Sequence, residues 1–167
     1  MALPFIALLV LTLVAASTDV RSGLIPNWLT LPVVLVAPAA QLVLGGSSAL
    51  LSSLLGGLAC GVVPACLFRA GAMGGGDVKL LVAIGVLAGP LIGLEVQLIA
   101  YNVLVAFAVV VLARRGQLVA VLRRSLDLLI RRGEARATSE PEALENFRLG
   151  APIFVAAVAR LALEVTR

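Results

Sequence analysis

Two aspartates, Asp19 and Asp77, are each placed at one end of a long uncharged stretch. Asp19 follows 18 residues without a charge, and Asp77 lies just before the apolar stretch 80–94. Two carboxylates held close together cannot both ionise near neutral pH, so the pair holds one proton. The ionised member can take a proton from an attacking water, and the protonated member can donate to a carbonyl oxygen. Such a pair hydrolyses peptide bonds without a histidine, a residue that this chain lacks.

Three other roles are open for these aspartates on chemistry alone. Asp77 could cap the helix that follows it, because a carboxylate is favoured at a helix N-terminus. Asp19 could be an exposed charge paired with Arg21. The two could also carry an ion or a proton, since a carboxylate at membrane depth costs roughly 2.5–3.5 kcal/mol and is usually functional.

The composition places these residues in a membrane protein. Of the 167 residues, 61% are apolar and 13% are charged, and the mean hydropathy is +1.12. Soluble domains carry about 25% charged residues, and one domain of this size cannot hide so much apolar surface from water. An ordinary soluble enzyme, a disordered tail and a disulfide-stapled secreted module are therefore excluded.

The positions of the charges predict an all-α polytopic bundle of about six transmembrane helices, because a crossing helix needs about 20 apolar residues. No charge occurs between Arg21 and Arg69, so this stretch is expected to cross twice, with a break at the turn-forming residues 45–48. Small residues four apart, Gly57, Gly61 and Ala65, predict a close helix approach. The expected spans are 2–18, 28–45, 49–68, 78–94, 96–113 and 150–165.

The basic residues predict the orientation. Of the 13 Lys and Arg residues, 11 lie in or beside the loops 19–27, 69–77 and 114–149. Positively charged loops stay in the cytoplasm, so both termini are expected outside and both aspartates on the inner side. This topology accounts for the net charge of +4 without nucleic acid. A cleaved signal peptide is the alternative for residues 1–18, although a basic n-region is missing.

The loop 114–149 is expected to contain a basic amphipathic helix over about 118–132. Its apolar residues recur at helical spacing, and most of its charges fall on the opposite side, so it should lie on the inner leaflet. Docking of a partner is the alternative role. We expect residues 1–167 to form a single membrane domain that includes this loop.

Two motifs surround the aspartates. Gly74, Gly75 and Gly76 precede Asp77, and glycine permits backbone conformations that other residues resist. Asp19 is followed by the string Val-Arg-Ser-Gly-Leu-Ile-Pro-Asn-Trp. In this string, Pro26 cannot continue a helix interior, Asn27 is expected to cap the next helix, and Trp28 suits a membrane interface.

The string GGGDVKLL, together with the upstream pattern D-x5-I-P-N-x-L, resembles the type IV prepilin peptidases, which are polytopic GxGD aspartic peptidases. The resemblance covers about residues 5–113, and the chain length is similar to the short form found with Flp-type (Tad) pilus systems. It implies that Asp19 and Asp77 are the catalytic pair. It also implies supporting positions, with Lys79 in local charge balance only. These supporting positions are Gly74, Gly75, Gly76, Lys79, Pro26 and Asn27.

The resemblance further implies a multi-pass endopeptidase of the bacterial inner membrane, with its active site on the cytoplasmic side. The implied substrate is a prepilin or pseudopilin, cleaved after a glycine at the membrane edge, and pilus or secretion machinery is a further partner. Longer relatives carry paired CxxC motifs and also N-methylate the product. Here Cys60 and Cys66 are six apart within a span, so no zinc site of that kind is expected. No other metal and no cofactor is expected.

Two functions of other classes compete with this interpretation. A small ion- or proton-coupled membrane protein would use the aspartates as binding sites, and internal repeats would favour it. A non-catalytic component of a secretion or pilus machine would tolerate an Asp→Asn change at both positions. A presenilin-like intramembrane protease also shares the GxGD pattern, but the chain is short for that class.

Overall fold

The computed structural model describes residues 2–114, 116 and 150–165 and, within them, an all-helical fold without strands. The predicted all-α class is therefore confirmed for these residues. The predicted amphipathic helix at 118–132 lies outside them. The described helices are α1 (Ala2–Ser22), α2 (Asn27–Arg69), α3 (Gly75–Arg114) and α4 (Gly150–Val165).

The described residues form four helices rather than the six expected, because α2 and α3 are interrupted without a connecting loop. Gly46 in α2 has φ 71° and ψ −164°, and Gly89 in α3 has φ 78° and ψ 175°. Only glycine adopts such angles at low cost. The interruption in α2 falls within the expected break at 45–48. In α3 it precedes the expected division at Glu95, because Pro90 disfavours a helical conformation at the residue before it.

The chain of α2 folds back at Gly46. Gln41 and Ser53 lie on either side of this glycine and would be about 18 Å apart along a straight helix. Their side chains donate hydrogen bonds to consecutive carbonyls of α3, from Gln41 to Leu87 at 3.4 Å and from Ser53 to Val86 at 2.8 Å. A straight α2 cannot make both bonds, so its two halves lie side by side.

The chain of α3 folds back in the same way at Gly89. Gly93 is eight positions after Gly85, which corresponds to about 12 Å in a straight helix. A Cβ atom added to Gly93 would lie only 3.0 Å from the Cα atom of Gly85. The two halves of α3 are therefore in backbone contact.

Small residues allow α2 to contact α3 closely. A methyl group on Gly56 would overlap the carbonyl oxygen of Gly85. Gly57 and Gly61 face valine side chains of α3, so the close approach predicted for these two positions is confirmed. Ala65, the third residue of the predicted series, is exposed instead.

The surfaces of α2 and α3 identify a membrane protein. Both helices are long and apolar enough to span a bilayer, yet only 28% and 22% of their most apolar windows are buried. The core helix of a soluble protein would be mostly buried. Large apolar side chains instead point outward, among them Leu35, Val43 and Leu44 at 74%, 84% and 74% exposure. Such an exposed apolar surface is typical of helices that contact a membrane.

The chain divides into two compact units, 1–101 with 148–167, and 102–147. In the first unit α1 packs against α4 and also contacts α2. Arg160 of α4 forms an ion pair with Glu95 of α3. In the second unit the structure describes the helical end of α3 over 102–114, and residue 116. All the residues of the candidate site belong to the first unit.

Candidate active site

A cavity of about 720 Å³ lies where α1 ends and where α2 and α3 begin. It brings together two segments of the chain, 18–28 and 74–79, that lie almost fifty residues apart. Every site residue predicted from the sequence lines this cavity. The lining residues are Thr18, Asp19, Ser22, Gly23, Leu24, Ile25, Pro26, Asn27, Trp28, Gly74, Gly75, Gly76, Asp77 and Lys79.

Asp19 lies in the last turn of α1 and is only 5% exposed. The helix ends just beyond it, where the Gly23 amide donates to the Asp19 carbonyl at 2.8 Å and the chain turns away. The alternative role of Asp19 as an exposed interfacial charge is wrong, because its side chain is buried at the cavity.

Asp77 lies in the first turn of α3, ahead of the predicted span 78–94. The pKa of its carboxyl is raised from 3.8 to about 6, chiefly by burial and also by the negative charge of Asp19. The backbone amide of Gly74 donates to this carboxylate and opposes the rise in pKa. The two carboxyl groups line the same cavity, so their charges can interact.

The bond from Gly74 shows that Asp77 does cap α3, since a carboxylate at the third helical position reaches back to the amide before the helix. A carboxylate that served only as a cap would have a lowered pKa. For Asp77 the direction is reversed, because burial and the nearby Asp19 outweigh the cap. Capping is therefore a local role of Asp77 and does not account for its environment.

The motif glycines make room around Asp77. A Cβ atom on Gly74 would lie 3.2 Å from an Asp77 carboxylate oxygen, and one on Gly76 would lie 3.1 Å from the Cβ atom of Ile25. One on Gly75 would lie 3.3 Å from the Phe68 ring. The three glycines therefore let the carboxylate, the segment after α1 and the end of α2 approach the start of α3.

Asn27 does not cap α2 as predicted. The helix begins at Asn27, and the residue at the cap position is Pro26, which makes no side-chain capping bond. The Asn27 side-chain oxygen instead accepts a hydrogen bond from Lys79 Nζ at 2.8 Å. The amide acts across the cavity because Pro26, with its fixed φ of −71°, already sets the helix start.

Sequence reasoning missed one contact in the cavity lining. Ile25 is 8% exposed and is the residue against which Gly76 packs. Its position in the Ile-Pro-Asn string was the available signal, but no spacing rule links it to Gly76. Trp28, expected at a membrane interface, is 66% exposed at the cavity edge.

The fold and the site define a helical membrane protein with two carboxyl groups at one cavity. Comparison with models of protein families matches residues 6–113 to the type IV leader peptidase family. The match covers well over half of the chain and includes both aspartates, so the chain belongs to this family of peptidases, as its motifs predicted. No curated protein and no solved structure matches the chain.

Proposed function

We propose that the protein is a membrane aspartic endopeptidase that removes the leader peptide from prepilins or pseudopilins, with Asp19 and Asp77 as its catalytic pair. The observation that carries this proposal is the cavity. It brings together two carboxyl groups that are distant in sequence, and one of them titrates near pH 6 because it is buried beside the other. Membership of the type IV leader peptidase family supports it.

The reaction follows from one proton shared by two carboxyl groups. Asp77, whose pKa is raised, is the better candidate for the protonated member and donates to the oxygen of the scissile carbonyl. Its ionised partner removes a proton from water, and the new carbon–oxygen bond gives a tetrahedral intermediate. The carbon–nitrogen bond then breaks, and the departing amine takes the proton that came from water. The intermediate returns the other proton, so the pair again holds one.

The lengths of the helix halves agree with six membrane crossings. The halves of α2 on either side of Gly46 have 19 and 23 residues, or about 28 and 34 Å, close to the ~30 Å thickness of the hydrocarbon region. Fold-back at Gly46 and Gly89 supports the division of each long helix into two crossings. With the basic loops inside, the cavity faces the cytoplasmic edge of the bacterial inner membrane.

This edge is a suitable place for the scissile bond. A prepilin leader is hydrophilic and precedes an apolar helix, so the bond between them lies where water and membrane meet. The cavity combines polar lining residues with Leu24 and Trp28, which are 72% and 66% exposed. The proposed substrate is a Flp-type (Tad) prepilin that is cleaved after a glycine.

The test is co-expression with a candidate prepilin, followed by gel shift and N-terminal sequencing of the product. Asp19→Asn and Asp77→Asn should each lower processing by at least about a thousandfold, because each removes an acid–base group that the reaction requires. Glu95→Gln is the matched control, because it makes the same change in α3 at a residue that does not line the cavity.

Membrane levels of all variants must be equal for this comparison. Cleavage by the wild type that is lost in both aspartate variants and kept in Glu95→Gln would support the proposal. Undiminished cleavage in either aspartate variant would refute the paired mechanism. Tolerance of both changes together with normal pilus assembly would favour the non-catalytic component of a pilus machine.

A further inference from the structure

The segment between α1 and α2 is held to the first turn of α3 at two points, one on each side of Asp77. On one side, Gly76 packs so closely on Ile25 that a Cβ atom there would be 3.1 Å from the Ile25 Cβ atom. On the other side, Lys79 Nζ donates to Asn27 Oδ1 at 2.8 Å. Ile25 and Asn27 lie on either side of Pro26 in the sequence. Gly76 comes directly before Asp77, and Lys79 follows it by two positions.

The same segment is tied to the end of α1, which carries Asp19. The Gly23 amide donates to the Asp19 carbonyl at 2.8 Å, and Ser22 Oγ donates to the Thr18 carbonyl at 2.7 Å. Ser22 Oγ also donates to the Leu24 carbonyl at 3.4 Å, so the start of the segment is fixed to the end of α1, and Asn27 follows three residues later. A contact that fixes Asn27 against α3 also restricts the position of Asp19 relative to Asp77.

We propose that Lys79 is a positioning residue, whose hydrogen bond to Asn27 sets the separation of the two aspartate carboxyl groups. This inference rests on the proposed function and assigns Lys79 a role other than charge balance. The contact with Gly76 restrains one side of the segment, and without Lys79 the other side is free to move away from Asp77.

The charges around Asp77 agree with this role. Among the residues that the structure describes, the charged ones that line the cavity are Asp19 from α1, and Asp77 and Lys79 from α3, while the connecting segment and α2 supply uncharged residues. Burial, the charge of Asp19 and the Gly74 amide account for the environment of the Asp77 carboxyl, and Lys79 is not among these causes. The ammonium group is instead engaged by Asn27.

The experiment compares Lys79→Met, Asn27→Ala and the double variant in the cleavage assay, using the full chain in detergent. Each single change should lower kcat about ten- to a hundredfold, because small displacements of reacting groups have large effects on rate. KM should change less than about threefold. The double variant should be no worse than the singles, since both remove one interaction. Asn27→Asp keeps an acceptor for Lys79 and should lose less kcat than Asn27→Ala.

A second readout separates positioning from charge balance and does not need activity. The protonation of Asp77 is followed by carboxyl infrared bands, assigned with Asp77→Asn. We call the hydrogen bond between Lys79 and Asn27 the clamp. If the clamp positions Asp19, both Lys79→Met and Asn27→Ala should lower the pKa of Asp77, because the Asp19 charge moves away. If Lys79 acts only through its charge, Lys79→Met should raise this pKa and Asn27→Ala should leave it unchanged.

The outcomes are distinguishable from a failure of the proposed function. Normal kcat in Lys79→Met and Asn27→Ala, with Asp19→Asn inactive, would overturn the clamp and leave the peptidase intact. Full activity of Asp19→Asn would overturn the peptidase mechanism, and the infrared titration would still decide whether the clamp exists. A strictly additive double variant would also overturn the clamp.

Discussion

Glycines permit close contacts in two regions of this bundle that differ in their surroundings. At the helix crossing, formed by Gly56, Gly57 and Gly85, they remove side chains so that backbones touch, and no space is left. At the cavity rim, formed by Gly74, Gly75 and Gly76, they also permit close approach, but beside a cavity of about 720 Å³. The same residue type therefore permits close contacts in both regions, but only those at the rim lie beside a cavity.

The difference lies in the polarity of the neighbours. At the crossing, the glycines meet valine side chains and backbone groups already used within helices. At the rim, they meet a carboxylate, a connecting segment and an aromatic ring. Substitutions at the crossing should therefore act on stability, and those at the rim should act mainly on chemistry and pH dependence.

The largest stability effect is expected at the crossing. In Gly56→Ala the new methyl group overlaps the Gly85 carbonyl oxygen, so the helices must separate, at a cost of about 3 kcal/mol or more. Gly57→Ala is the matched control, since its Cβ would meet a Val86 methyl group at 2.6 Å, which can shift. Thermal unfolding in detergent measures both. Equal losses would contradict the assignment of Gly56 as a backbone contact.

The second prediction concerns pH and the Asp77 carboxyl. Its pKa is about 6 in the folded protein and near 3.8 when unfolded, so between these values the folded state binds more protons and its stability falls as pH rises. Above pH 6 the raised pKa lowers the free energy of unfolding by at most about 3 kcal/mol. Substitution of Asp77 removes this destabilisation but also removes the helix cap, which offsets part of the gain. Asp77→Asn should therefore be about 2 kcal/mol more stable than wild type at pH 8.

The advantage of Asp77→Asn should disappear at pH 4, where the wild-type carboxyl is largely protonated when folded. The Gly56→Ala effect should stay constant over the same range, because the crossing contacts involve no titrating group. Unfolding curves at several pH values provide the measurement. A pH-independent difference between Asp77→Asn and wild type would show that the Asp77 pKa is not raised.

The smallest stability effect is expected at the rim. In Gly76→Ala the Cβ would lie 3.1 Å from the Cβ of Ile25, so the segment must move by a few tenths of an ångström, at about 1 kcal/mol. The rate should fall about tenfold, because this segment positions Asp19. Gly75→Ala is the control, since its neighbour is the edge of a Phe68 ring, which can turn. Equal cleavage rates for Gly76→Ala and Gly75→Ala would show that the position of this segment does not affect catalysis.

The site was more predictable than the arrangement of the helices. Asp19, Asp77 and the three glycines were found from charge placement and a short motif, and all of them line one cavity. The contacts of Asn27 and Ile25 were not predictable, because they join segments about fifty residues apart. The break in α3 was predicted at Glu95 but lies at Gly89. A charged residue indicates only the polarity of its position, whereas Gly89 and Pro90 determine where the helical backbone is interrupted.

The sequence by itself determined that this is a helical membrane protein of the type IV leader peptidase family, because apolar content and local motifs are properties of the chain. Only the tertiary structure decided that Asp19 is buried and that the Asp77 carboxyl has a raised pKa. It also decided that Lys79 bonds to Asn27. These depend on which segments pack together, since desolvation and charge interactions depend on distance in space rather than along the chain.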